Sequence, residues 1–410
     1  MHITKHCLIK ILAILIVFIL VYASLDSPGT GDYLYWIKWL NLIRENGVSL
    51  AFAKMNDNYP PLILLIINFF EFISMGRLSD FQIIKLSIVI MFLISLAMLY
   101  LWHSSVLETI LFAFALCLNS LYLGYVDIYI VPFIIGAFWC LSESKNVYAV
   151  CLFIISFMIK WQPLIIMPFI MIYLLDIDSR NVKLFDHFKA SKFALVSILV
   201  LLPICFYFGF NEIRSSFMAA TRHDFLSANA LNVNWIATWI VRLCSPEVFG
   251  GLDGGHVRYI QTSNFHLRIG RVIFFAVYLY TLLKFFKSSK TIRNLYIHAI
   301  IGYISYFILN VGVHENHLFL AVVLSFLLVH EDVAWVRVAT FVAITQIVNL
   351  YLFYGISGRG MGNRLIFNYL DATVVFSFCN LIGFIYLIKK LFFADEESEH
   401  LRSESSALNL

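Results

Sequence analysis

The sequence predicts an all-α fold, a polytopic bundle of about ten to fourteen transmembrane helices. Three observations predict it. Hydrophobic residues make up 61% of the 410 and charged residues only 13%, against about 45–50% and about 25% in water-soluble domains. Apolar runs at or near the ~20 residues that cross a bilayer recur along the chain. Aromatics reach 17%, with Phe 39 and Tyr 21, which suits lipid-facing helices and interfacial belts.

The first run, 8–24, follows Lys5 and Lys10 and lacks a convincing small-x-small cleavage site. It reads as an uncleaved span, not a secretory signal. In the first loop, 25–60, Tyr33, Trp36, Ile37, Leu40 and Ile43 recur at helical spacing. This predicts an amphipathic helix lying on the membrane surface, with Tyr33, Trp36 and Trp39 in interfacial packing. Tyr59-Pro60-Pro61 ends the loop and starts a span, since Pro is tolerated in a first helical turn. Further runs follow at 61–75, 83–102, 107–123, 128–142, 147–159, 163–176, 190–210, 270–287, 295–311, 317–330, 334–354 and 372–390. Several are short, as tilted, broken or buried spans are. The longest polar stretch, 211–268, includes a short helix near Trp235 to Leu243. Beyond a membrane domain over 1–394, the acidic, serine-rich segment 395–410 predicts a disordered cytoplasmic tail.

Lys and Arg collect at Lys5 and Lys10, from Arg180 to Lys192, from Lys284 to Arg293, and at Lys389 and Lys390. These mark cytoplasmic connections and place 25–60, 211–268, 312–316 and 355–371 outside. The six runs between the first loop and Arg180, with the first span, make seven, an odd number where an even one is required. One short run is therefore re-entrant, or two are one span.

The seven cysteines mostly sit in apolar runs, where Cys behaves as a small hydrophobe, and suggest no disulfide framework. Scattered basic residues without a cluster argue against nucleic-acid binding. No Walker loop or Gly-rich dinucleotide loop is present. In His314-Glu315-Asn316-His317 the histidines are three apart, not the four of a zinc helix. No cluster calls for a cofactor or metal, although magnesium at a phosphate is compatible with the sequence.

What remains is polar residues at span ends: Asp32 in GTGDY, Asp57 and Asn58 in NDNYPPL, Asp127 in LGYVD, Lys160 and Gln162 in IKWQP, Arg222, His223 and Asp224 in TRHDF, Asn229 to Trp235 in NALNVNW, and His314 with Glu315. Such groups are costly at membrane depth and often functional, and together they suggest a site spread over several helices. Plainer roles exist for each. Asp32 suits an N-cap, Lys160 a snorkelling side chain, Arg222 an interfacial anchor, and Asp127 a helix cap.

Taken in order, GDY, the amphipathic helix, YPPL, an Asp between two spans, Lys-x-Gln-Pro, the Asn-Trp loop and the late His-Glu resemble the GT-C superfamily of lipid-phosphate-sugar-dependent glycosyltransferases, over about residues 1–320. The chain is similar to the dolichyl-phosphate-glucose glucosyltransferases and to bacterial polyprenyl-phosphate-sugar relatives. The resemblance implies inverting transfer of a hexose or pentose from a polyprenyl-phosphate donor to a glycan, lipid or protein acceptor. It implies a site on the non-cytoplasmic side of a bacterial inner membrane or of the endoplasmic reticulum. Asp32 would be the general base, with Asp57 as second carboxylate. Lys160, Gln162, Arg222, His223, His314 and Glu315 would hold the donor's lipid phosphate, and Asn58, Tyr59, Asp127, Asn232 and Trp235 the substrates. Asn58-Tyr59-Pro60-Pro61 departs from the Asp-Tyr-Pro-Pro of the eukaryotic enzymes, and GYVD is closer to bacterial relatives. Envelope polysaccharide polymerases or flippases are the alternative class, and secondary transporters a third.

Overall fold

A computed structural model describes residues 5–177, 186–222, 224–261 and 269–407. It is a polytopic all-α helical bundle, 77% helical, with one two-stranded pairing, Leu365–Ile366 on Leu370–Asp371, among the described residues. Among the described residues, seven helices are long and apolar enough to cross a membrane, as in an integral multi-pass membrane protein.

The chain divides into two compact units. One comprises Met1–His223, Leu282–Ile300 and Glu315–Gly362; the other comprises Asp224–Thr281, Ile301–His314 and Asn363–Leu410.

In the first unit, α1 (Lys5–Ser24) exposes Ile14 (70%) and Phe18 (62%), as a helix facing lipid does. α2 (Tyr33–Asn46) and α3 (Val48–Met55) follow, then α4 (Leu62–Ser74) and α5 (Asp80–His103). Ser79 starts α5 with a capping box: its Oγ accepts from the Gln82 amide, and its own amide donates to the Gln82 side chain. α6 (Val106–Cys117), α7 (Val131–Ser142), α8 (Asn146–Ile159), α9 (Met167–Leu174), α10 (His187–Phe208) and α11 (Phe210–Thr221) continue it. α16 (Phe319–Glu331) and α17 (Val336–Tyr354) complete it, and α16 is buried throughout from Phe319 to Leu328. The run 163–176 is broken into a 3-10 turn, Gln162–Ile165, and α9. Eight residues rise only ~12 Å, too little to cross a ~30 Å hydrocarbon core.

α2 corrects one expectation. It buries Tyr33, Trp36, Trp39, Leu40 and Ile43, and Ile37 is only half-buried. Its apolar stripe packs on α3, α4 and α5, so it is core and not interface. The period-3.6 pattern marks a buried face but does not distinguish protein from lipid as its cover.

The second unit holds α12 (Val233–Cys244), α13 (Pro246–Phe249), α14 (Ile269–Lys287, as far as Thr281) and α18 (Ala372–Ala407). α15 (Ile292–Leu309) passes from the first unit into the second at Ile301. α18 runs as helix to Ala407. No Gly or Pro interrupts Asp395 to Ala407, and adding residues to an existing helix avoids the nucleation cost.

Candidate functional site

Three interruptions of helix bring polar residues of the first unit together. α6 ends in a π turn, Leu118–Tyr122, and a 3-10 turn, Val126–Ile130, then carries Asp127. After α8, Lys160 adopts extended backbone (φ −152°, ψ 134°). Glu315 opens the 3-10 turn Glu315–Leu318 that leads into α16. Irregular backbone at membrane depth is tolerated only where protein buries it or where it lines a cavity. One carbonyl of the π turn, Leu121 O, receives a 2.7 Å hydrogen bond from Nζ of buried Lys85 on α5.

The first loop docks on the same interruption. Thr30 N donates to Leu123 O (3.0 Å), Ser27 Oγ to Tyr122 O (2.6 Å) and Trp36 Nε1 to Gly124 O (3.1 Å). Gly124 has φ +72°, and a Cβ there would lie 2.7 Å from the Tyr33 ring. Both the backbone and the close approach therefore require glycine. This contact seats the start of α2, and with it Asp32.

Asp32 does not act as a side-chain cap. Its backbone is helical (φ −63°, ψ −22°) and its carboxylate makes no cap hydrogen bond. The residue is half-buried. Burial, the nearby Glu315 and Asp57 charges, and against them Lys160, leave its pKa raised from 3.8 to about 6. A carboxylate so poised is still mostly ionised at neutral pH and accepts a proton more readily than an ordinary Asp.

Around it the partners are fixed. Lys160 forms an ion pair with Asp127, whose Oδ2 also accepts from Asn316 Nδ2 at 2.9 Å. Asp127 is wholly buried and Lys160 nearly so. The Lys160 Nζ also lies 5.5 Å from the centroid of the Tyr59 ring, a cation–π distance. Tyr59 packs edge-on against Trp36 (5.5 Å) and Trp39 (5.1 Å). Glu315 is buried, and its carboxylate accepts from the hydroxyls of Tyr125 (2.5 Å) and Tyr354. Asn349 Nδ2 donates to its carbonyl at 3.1 Å. Asp57 is half-buried and accepts from the Asn58 amide at 2.7 Å.

Of the residues singled out in sequence, Asp32, Asp57, Asn58, Tyr59, Asp127, Lys160 and Glu315 thus share one neighbourhood. Lys160, expected at the donor phosphate, pairs inward with Asp127, expected at a substrate. A buried ammonium needs a buried counter-charge, and that need outweighs snorkelling. Gln162 is buried with its amide unpartnered among the described residues. Arg222 is exposed at the end of α11. That helix is tied to the site by Ser216 Oγ donating to Tyr59 O (2.6 Å) and by Phe217 against Trp161 (5.2 Å). His223 lies outside the described residues.

His314, Asn232 and Trp235 belong to the second unit. His314 lies against Phe225, with ring centroids 6.2 Å apart. Asn232 caps α12 by accepting from the Trp235 amide (3.0 Å) and donates to Phe307 O (3.1 Å), and Trp235 Nε1 donates to Thr373 Oγ1 (2.8 Å). Both are fully buried. Tyr125, Tyr354, Asn316 and Lys85 were not singled out. Tyr125 and Asn316 lie inside quoted motifs, Tyr354 reads as an interfacial ring at a span end, and only the charge of Lys85 inside an apolar run could have marked it.

The chain matches no protein-family model and no curated protein.

Proposed function

We propose that the chain is a membrane glycosyltransferase of the GT-C kind, moving one sugar from a polyprenyl-phosphate donor to an acceptor on the non-cytoplasmic side, with Asp32 as general base. The observation that carries this reading is Asp32 itself. It is a half-buried carboxylate with no side-chain cap bond and a pKa raised to about 6. It stands beside a buried Lys160–Asp127 pair and a tyrosine-held Glu315. In the reaction the acceptor hydroxyl gives its proton to Asp32 as its oxygen attacks the anomeric carbon, and the bond to the lipid phosphate breaks with its electron pair on the phosphate oxygen. Developing charge on that oxygen calls for cations. Lys160 supplies its field from behind Tyr59, and exposed Arg222 at the end of α11 is the side chain free to reach a phosphate.

A second reading draws on the same observation. A titratable carboxylate beside a buried lysine also suits a proton relay in a transporter. One experiment separates them. Purified protein is given radiolabelled polyprenyl-phosphate sugars, and release of free polyprenyl phosphate is followed for wild type, Asp32→Ala and Asp32→Asn. The enzyme reading expects turnover that falls ~10²–10⁴-fold in both variants. No turnover with any donor, together with proton-driven solute uptake in sealed vesicles, would replace it with the relay.

A further inference from the structure

A second cluster of titratable side chains stands in the first unit, away from Asp32. His103 ends α5, Glu108 lies in the first turn of α6, and His330 lies one residue before the end of α16. One ligand-type atom from each lies within 4.8 Å of the others. His103 Nδ1 is 2.7 Å from Glu108 Oε1, and His330 Nδ1 is 4.0 Å from Glu108 Oε2. We propose that His103, Glu108 and His330 bind a divalent transition-metal ion of the zinc type.

Zinc–ligand bonds of ~2.0–2.2 Å hold tetrahedral ligand atoms roughly 3.4 Å apart, between the two spacings seen here. Two imidazoles and one carboxylate select zinc or its neighbours over magnesium and calcium, which take oxygen ligands. Two features go beyond the spacing. The His103 side chain is only 1% exposed, and its Nε2 is buried without a hydrogen-bond partner among the described residues. A buried polar atom left without a partner calls for one, and an ion is among the groups that supply it. The His103 and His330 rings are also stacked, 3.6 Å apart and 6° from parallel. His330, 37% exposed on its side chain, is the ligand able to turn out of the stack so that its nitrogen faces the ion. Trp102 lies against both rings, at 4.6 Å and 6.3 Å, and limits water there.

His330 is fifteen residues beyond Glu315 along the 3-10 turn and α16, or roughly 23 Å of helix. Asp332, two residues further, pairs with Arg293 at 2.8 Å, which puts the cluster at the end of α16 that meets the basic, cytoplasmic connections. The ion would tie the α5–α6 corner to α16. The proposal does not depend on the glycosyl-transfer reading.

The test uses the full chain in detergent, stripped with a chelator and then titrated with Zn²⁺, with Co²⁺ as a spectroscopic probe. Expected are a single equivalent of Zn²⁺ and a visible ligand-field band of tetrahedral Co²⁺, both lost or weakened at least tenfold in His330→Ala and Glu108→Gln and kept in Asp32→Asn. His330 is at the surface, so its variant tests the site without emptying the core as His103→Ala would. Absence of stoichiometric binding in wild type, or equal binding in His330→Ala, would overturn the proposal.

Discussion

Two carboxylates, one in each unit, start helices in opposite ways. Asp371 precedes α18 in the second unit and is fully bonded: Oδ1 accepts from Thr373 N (3.0 Å) and Oγ1 (2.7 Å), and Oδ2 from Val257 N (2.9 Å) and Arg364 (3.3 Å). Asp32 precedes α2 in the first unit and caps nothing. The neighbours differ in the same way. Buried asparagines of the second unit are spent on backbone: Asn234 Nδ2 donates to Leu309 O (3.0 Å) and Asn310 O (2.8 Å), and Asn380 Nδ2 to Leu231 O (2.9 Å). In the first unit buried charges gather near Asp32, Lys160 on Asp127 and Glu315 under two tyrosines. Amides satisfy interrupted helices cheaply, whereas buried charges cost several kcal/mol each. Asp371 offsets that cost with four accepted hydrogen bonds, one of them from Arg364, whereas Asp32 makes no cap bond.

The sharpest way to break this contrast is Lys160→Met. Removing one partner leaves Asp127 buried and uncompensated, at a cost of about 3–5 kcal/mol, read as a large drop in thermal stability in detergent. The double variant Lys160→Met with Asp127→Leu should recover most of that stability while turnover stays lost. Turnover restored together with stability would make the pair structural and void the contrast.

A smaller effect, of opposite sign, is expected at Asp32. Its pKa is raised on folding, from 3.8 to about 6, so the folded state binds the proton more tightly. The resulting penalty is absent below pH ~4, where both states are protonated, and complete above pH 6, where both are ionised. Asp32→Asn should therefore stabilise the protein at pH 7.5 and lose that advantage at pH 4. Two pKa units correspond to at most about 3 kcal/mol, less for a group partly open to solvent. Equal unfolding temperatures for the two proteins at pH 7.5 would show that Asp32 carries no folding penalty.

Much of this was legible in the sequence, and for physical reasons. Apolar runs gave the helices because a bilayer imposes their length, and charge at the ends of such runs pointed to Asp32, Asp127, Lys160 and Glu315 because it is expensive at membrane depth. What each charge faces was not legible. Lys160 reads equally as a snorkelling cation or a buried one, since the choice lies with Asp127, 33 positions away in sequence. For the same reason Trp36 and Trp39 looked interfacial. His103 and His330 gave no motif at all, because helix packing and not spacing brings them together.

In the second unit, Asn232→Ala removes an N-cap and should cost about 1 kcal/mol, seen as a modest fall in unfolding temperature. The pH profile of turnover should not move. A shifted profile would place Asn232 in the site.

The smallest expected effect tests the electrostatics alone. With Asp32 as the base, turnover should rise with pH through about 6, as its carboxyl ionises, and level off above. Glu315 is the larger of the two charges that push this pKa up, and Lys160 is the one that pulls it down. Glu315→Gln keeps an acceptor for Tyr125 and Tyr354 but removes the charge, so the acid limb should move to lower pH with little change at the plateau. In any Lys160→Met protein that retains activity it should move the other way. Two shifts of opposite sign at a common base are a result that loss of folding cannot imitate, whereas an acid limb fixed in both variants would place the titrating group elsewhere.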